Sequence, residues 1–146
     1  MFVRRISAGL AVLVGVLGLT VGGVGGARAD SLPQFAPFGT TLFTFGDANF
    51  CTGAIAVSVE GAAGAPGHVL AHVTPLGYQR GPCGNNVQMQ WVGSAGGNGR
   101  VVYVHAGEGP GETVTTDLWV GMGLGKIIVN TWPLQGPFIE WYFWVL

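Results

Sequence analysis

The three histidines are the side chains of this sequence best suited to bind a metal ion. His68 and His72 are four residues apart, which puts them on one face of a strand, and His105 could approach from a neighbouring strand. Three imidazoles can bind zinc or copper. Positions i and i+4 of an extended strand are about 13 Å apart, however, so the two rings would not reach one ion without a bulge. We therefore expect surface histidines and no metal site.

The hydroxyl and carboxylate side chains are spaced poorly for catalysis. Ser94 lies in the sequence VGSAG (residues 92–96), which lacks the first glycine of a nucleophile elbow and has no helix after it. Glu108 and Glu112 flank a Pro-Gly pair in a turn, where two carboxylates are usually solvated. We expect no catalytic residues, no cofactor and no enzymatic activity.

Cys51 and Cys83 are the only cysteines. Their spacing is not Cys-x-x-Cys and no histidine is near either of them in the sequence, which argues against a metal or redox pair. In an oxidising compartment they would form a disulfide. On the chain-entropy model, a bridge across this separation stabilises a fold by about 3 to 4 kcal/mol.

The N-terminal segment predicts export. Arg4 and Arg5 precede an apolar run from Ile6 to about Val24, and Ala27-Arg28-Ala29 has the small-x-small pattern that signal peptidase cleaves. A membrane anchor is the alternative, because residues 6–27 carry no charge and about 20 apolar residues can span a bilayer. The many glycines in this run disfavour a spanning helix. We expect residues 1–29 to be a cleavable signal peptide, and a location outside the cell or at the cell envelope.

Cleavage after Ala29 would remove 29 residues and three arginines, leaving 117 residues and changing the net charge from −1 to −4. The remaining bases are Arg80, Arg100 and Lys126, too few for a nucleic-acid surface. A chain of this length forms one domain. We expect a flexible arm over residues 30–40 and a single domain over residues 41–146.

Glycine, proline and asparagine clusters interrupt the chain at short intervals, and the segments between them alternate apolar with polar residues, which is typical of strands. Val87, Met89 and Trp91, for example, alternate with Gln88 and Gln90. The pattern predicts an all-β antiparallel sandwich, Ig-like or Greek-key, with seven or eight strands and one disulfide. The predicted strands are 41–45, 54–60, 68–74, 86–93, 100–106, 113–122, 126–132 and 138–146.

The last predicted strand is apolar on both faces. Residues 139, 141, 143 and 145 are apolar on one side, and Tyr142, Trp144 and Leu146 are apolar on the other. Either the second face is covered, by other strands or by the arm with its phenylalanines at 35 and 38, or it is a binding surface. Trp132, Tyr142 and Trp144 would then form an exposed cluster suited to a sugar, a lipid or a partner protein.

The leader-like segment and the glycine- and alanine-rich body resemble small exported β-sandwich proteins of actinobacteria, most of which have no assigned activity. A second likeness covers residues 83–121. Its layout resembles that of tendamistat-type amylase inhibitors: a cysteine, the strand with Trp91, VVYV at 101–104 and PGETV at 110–114. Those inhibitors have two disulfides and a Trp-Arg-Tyr triplet, which this chain lacks, so the resemblance implies no inhibitory residues here.

The sequence therefore predicts a secreted, non-enzymatic binding module whose ligand is a protein, a glycan or a lipid, with no nucleic-acid partner. One alternative is an inhibitor of a secreted hydrolase that presents the turn at residues 107–112. A second alternative is a small membrane-associated β-barrel, since eight strands with few charges also fit that class. Several predicted strands have only 5 to 8 residues, whereas about 9 to 11 are needed to cross a bilayer. We therefore do not expect insertion of the mature chain.

Overall fold

The computed structural model describes residues 31–45, 51–133 and 136–146, so the predicted signal peptide lies outside the described residues. The described chain contains strands and no helix. All eight predicted strands are present, and a ninth, of two residues, precedes them. The strands are β1 Gln34–Phe35, β2 Thr41–Thr44, β3 Gly53–Gly61, β4 His68–Tyr78, β5 Cys83–Gly93, β6 Gly96–Ala106, β7 Val114–Trp119, β8 Gly123–Trp132 and β9 Ile139–Val145.

The strands form two antiparallel sheets. One has five strands in the order β1-β9-β8-β5-β6, and the other has four in the order β2-β3-β4-β7. The pairs β2 and β3, β3 and β4, β5 and β6, and β8 and β9 are consecutive in the chain and adjacent in a sheet, while the chain changes sheet after β1, β4, β6 and β7. The predicted all-β sandwich is confirmed.

Alternating side chains of both sheets fill the space between them. On β5, Val87, Met89 and Trp91 are buried while Gln88 and Gln90 point outward, as the sequence pattern predicts. The same alternation on the other strands forms one continuous core, whose large members include Leu42, Ile55, Leu118, Ile127, Ile139, Trp141 and Phe143. Along each strand, the inward side chains are therefore constrained by core packing, and the outward side chains are not.

The turn between β5 and β6 differs from the sequence prediction. The run Gly96-Gly97-Asn98-Gly99 falls between the predicted strands 86–93 and 100–106 and has the composition of a turn, but these residues pair with residues 90–93 of β5. The connection is instead the two residues Ser94 and Ala95, and Gly96 adopts φ +99° directly after it. A short hairpin loop needs such a positive φ, which glycine adopts without strain. The glycine-rich run thus lengthens the edge strand.

Cys51 and Cys83 form the predicted disulfide. Cys51 lies just before β3 and Cys83 begins β5, so the bond joins the two sheets. Both cysteines are buried in a second small cluster with Tyr78 and Ala106. The Tyr78 hydroxyl donates a buried hydrogen bond of 2.9 Å to Asn85 Oδ1, which satisfies both polar groups at this end of the sandwich.

The segment from Ser31 to Thr40 contacts the sandwich at two points. Leu32 is buried in the main core, and β1 pairs with β9 so that Phe35 is opposite Tyr142. The Trp144 amide also donates a hydrogen bond to the Pro33 carbonyl. The described residues contain no helix that is long and apolar enough to cross a membrane.

Candidate functional site

The surface of the five-stranded sheet that faces away from the core carries all three residues predicted to bind a ligand. We call it the outer face. Residues that pair across neighbouring strands share a face. The register therefore assigns to the outer face Phe35, Glu140, Tyr142 and Trp144, then Leu124, Lys126, Ile128, Asn130 and Trp132, then Asn86, Gln88, Gln90 and Val92, then Val101, Tyr103 and His105.

The three predicted residues share this face but do not form one cluster. Trp132 and Trp144 are 58% and 50% exposed, and Tyr142 is half-buried. Trp144 pairs with Leu124, which is eight residues from Trp132 on β8, so the backbone positions of the two tryptophans are about 26 Å apart along the strand direction. The outer face therefore has aromatic side chains at both ends.

At the first end, Trp132 and Tyr103 lie on either side of Asn86. Asn86 pairs with Trp132 on β8 and with Tyr103 on β6, and we call these three residues the aromatic row. Strand spacing puts the two aromatic Cα atoms about 10 Å apart. Tyr103 is 56% exposed. Sequence reasoning missed Tyr103 and Asn86, because only the register shows that they flank one another.

A glycine determines how the Tyr103 ring lies. A Cβ atom at Gly84 would overlap the Tyr103 hydroxyl and the ring carbons next to it. The hydroxyl end of the Tyr103 ring therefore lies over Gly84 on β5. Because the residue remains largely exposed, the Tyr103 side chain is accessible to a ligand.

At the second end, Phe35, Leu124, Tyr142 and Trp144 form an apolar patch, which we call the apolar end. Phe35, Leu124 and Trp144 are exposed. Two shallow hollows of about 300 and 260 Å³ flank Leu124 and Tyr142. Phe35 lies beside Tyr142 and leaves this surface open, so the arm does not shield it.

Between the two ends, a charged pair is neutralised internally. Lys126 Nζ lies 2.8 Å from Glu140 Oε2 and 5.1 Å from the centre of the Tyr142 ring, whose hydroxyl donates a hydrogen bond to Glu140. The hydrogen bond to Glu140 raises the pKa of the Lys126 ammonium above its ordinary value, and Tyr142 acts in the same direction. The only lysine of this face thus contributes no net positive charge.

Four amide side chains also lie on the outer face, together with the apolar Ile128, Val92 and Val101: Asn86, Gln88, Gln90 and Asn130. Within the described residues, none of these side chains has a hydrogen-bond partner in the protein. Each amide offers one acceptor oxygen and two N–H donors. The outer face therefore presents free donors and acceptors between two aromatic ends.

The opposite surface of the sandwich, on the four-stranded sheet, pairs its polar groups with one another. His72 Nε2 lies 2.7 Å from Glu60 Oε1, and His72 Nδ1 lies 2.9 Å from Thr115 Oγ1. His68 Nδ1 lies 2.8 Å from Asp117 Oδ1, and its ring contacts Trp119 at 4.7 Å between centroids. These contacts connect three neighbouring strands, so the side chains stabilise the sheet. They leave fewer unpaired polar atoms for a ligand than the amides of the outer face do.

The three histidines lie on opposite sides of the sandwich. His105 is on the outer face, paired with Gly84, while His68 and His72 are on the four-stranded sheet. The expectation that His105 could come alongside them is wrong, because β6 and β4 belong to different sheets. Among the residues that the structure describes, no three His, Cys, Asp or Glu side chains are grouped so as to hold a metal ion.

One further hollow lies at the end of the four-stranded sheet. It is an open groove of about 620 Å³ bordered by Phe43, Leu76, Arg80 and Glu108. The sequence gives no signal for it, because its walls come from three strands and the loops beside them. Arg80 has φ 75°, which is uncommon for a residue other than glycine.

No family model, no curated protein and no solved structure matches this chain. The resemblances to exported actinobacterial proteins and to tendamistat-type inhibitors therefore stay predictions.

Proposed function

We propose that the chain is an exported, non-enzymatic binding protein that acts through its outer face, at the cell envelope or in the surrounding space. The contrast between the two surfaces of the sandwich carries this proposal. Both surfaces have exposed aromatic rings, but the four-stranded sheet pairs its histidines, carboxylates and hydroxyls internally, while the outer face has unpaired amides beside its rings. Exposed aromatic patches with polar neighbours commonly mark binding sites.

Export is supported by the leader-like residues 1–29 and by the disulfide. A buried Cys51–Cys83 bond that joins two sheets suits an oxidising compartment. The absence of catalytic activity is a proposal from the sequence. It is supported by the place of Ser94, whose hydroxyl donates a hydrogen bond to the Met122 carbonyl within a turn.

The proposal is tested by co-sedimentation of the purified protein with isolated bacterial envelopes and with polymers precipitated from the culture medium. We expect the protein to sediment with one of these fractions. Trp132→Ala should reduce the bound fraction, and Trp119→Ala is the matched control, because Trp119 is similarly exposed at 55% on the other surface. Failure to bind either fraction, or equal losses in both variants, would overturn the proposal.

A second candidate function is inhibition of a secreted hydrolase by the loop at residues 107–112. Its ends are fixed, because the Tyr78 amide donates to the Gly107 carbonyl and the Gly111 amide donates to the Pro75 carbonyl. Glu108 between them is exposed. An exposed loop that is held at both ends suits insertion into an active site, since less conformational freedom is lost on binding. A screen of secreted glycosidases and proteases at micromolar protein tests this candidate, and unchanged rates with every enzyme would reject it.

A further inference from the structure

We infer that the ligand of the outer face is a neutral polysaccharide chain, and that the aromatic row is its principal contact. This inference rests on the proposed function and names its ligand class. A sugar ring has apolar C–H surfaces above and below and hydroxyl groups around its rim. It therefore matches a surface on which flat aromatic rings stand beside amide groups.

The orientation of the rings is the first argument. Gly84 leaves room for the hydroxyl end of the Tyr103 ring over β5, the Tyr103 side chain stays exposed, and Trp132 provides a second exposed ring on the far side of Asn86. Two aromatic residues whose Cα atoms are about 10 Å apart on one sheet suit separate units of one extended chain. Aromatic side chains provide large contact areas at low conformational entropy.

The free amides are the second argument. Asn86 lies between the two rings, and Gln88 and Asn130 follow in the next pair of outward positions. A hydroxyl both donates and accepts hydrogen bonds, and so does an amide side chain. A lipid acyl chain would leave these amides without partners, at a free-energy penalty on desolvation.

Charge is the third argument. Lys126 is paired with Glu140, and the aromatic row contains no charged side chain. Anionic headgroups and acidic polymers are attracted by unpaired lysines and arginines. The outer face does not present them, which favours a neutral chain.

Affinity electrophoresis in native gels tests the inference. The probes are hydroxyethylcellulose, glucomannan, arabinoxylan and pullulan, with vesicles of phosphatidylcholine and phosphatidylglycerol in a parallel flotation assay. We expect at least one polysaccharide to retard the protein, and Trp132→Ala and Tyr103→Ala each to weaken binding about tenfold or more. Tyr103→Phe keeps the ring and should stay within about threefold, while Trp119→Ala should bind normally.

Gly84→Ala tests whether binding depends on the position of the Tyr103 ring, because this variant moves the ring without removing it. The added methyl group displaces the exposed Tyr103 ring, so this variant should lose affinity like Tyr103→Ala although residue 84 need not touch the ligand. The double variant Gly84→Ala with Tyr103→Ala should bind no more weakly than Tyr103→Ala alone, because the two changes remove the same contact. Additive losses would contradict this role, and thermal unfolding of each variant checks that the fold persists.

The outcomes separate this inference from the proposed function. If no polysaccharide retards the protein, the inference is overturned. If vesicles or envelope proteins are then bound in a way that needs Trp132, the proposed function stands with a different ligand class. If no binding depends on Trp132, both are rejected.

Discussion

The exposure of the outer face can be measured without knowing the ligand, through quenching of tryptophan fluorescence by acrylamide. Trp119, Trp132 and Trp144 are at least half exposed, whereas Trp91 and Trp141 are 7% and 1% exposed. If the five indoles emit equally, about three-fifths of the fluorescence should be accessible to the quencher. Single Phe substitutions then shift this fraction. Trp132→Phe or Trp144→Phe should lower it to about one half, and Trp141→Phe should raise it to about three-quarters.

Trp119→Phe serves as the control, because it removes an exposed indole from the other surface and should shift the fraction as Trp132→Phe does. The distinction appears on adding a polysaccharide that binds. The ligand should shield Trp132 and leave Trp119 accessible. If only about one-fifth of the fluorescence of the free protein is accessible to acrylamide, and none is accessible in Trp119→Phe, the outer face is covered. The binding proposal would then fail at its first step.

Three further measurements test the fold and the charged pair. Replacing Cys51 and Cys83 by Ala should lower the free energy of unfolding in urea by about 4 kcal/mol, because the disulfide spans 32 residues; a loss below about 1 kcal/mol would contradict the chain-entropy argument. Trp141→Ala should cost about 3 to 5 kcal/mol in the same assay, since the indole is fully buried, and a near-neutral effect would place it outside the core. Glu140 raises the pKa of Lys126 above its ordinary value of 10.5. The ion pair should therefore stabilise the fold fully below pH 10.5, and this stabilisation should disappear at more alkaline pH as the folded-state ammonium deprotonates. The difference in Tm between the wild type and Lys126→Met should therefore narrow above that pH, and a constant difference would argue against the pair.

The fold could be predicted because inner and outer positions alternate visibly in the sequence. On β5, three apolar residues alternate with two glutamines, and burial follows that pattern. The strand boundaries were less accurate where glycine is frequent. Residues 96–99 have the composition of a turn, yet they pair with β5, because the hairpin register outweighs the local preference of glycine.

The binding surface could be predicted only in part, because alternation gives the face of a residue within its strand but not its neighbours on other strands. Trp132, Tyr142 and Trp144 share a face as the sequence suggests, but the register puts Trp132 far from the other two. Tyr103 becomes its partner only because β5 lies between β6 and β8. The order of strands in a sheet depends on long-range packing, and one sequence does not reveal it.

The sandwich separates the residues that maintain the fold from those that contact a ligand. Met89 and Val129 pair within the core, while their chain neighbours Gln88 and Asn130 pair on the outer face. Substitutions at the outward positions leave core packing intact, so they should change binding with small effects on stability. Gly84 is the exception, since it belongs to the buried backbone and also determines how the Tyr103 ring is presented. It is therefore the position where the fold most directly shapes the proposed site, and the one where a single methyl group tests that coupling.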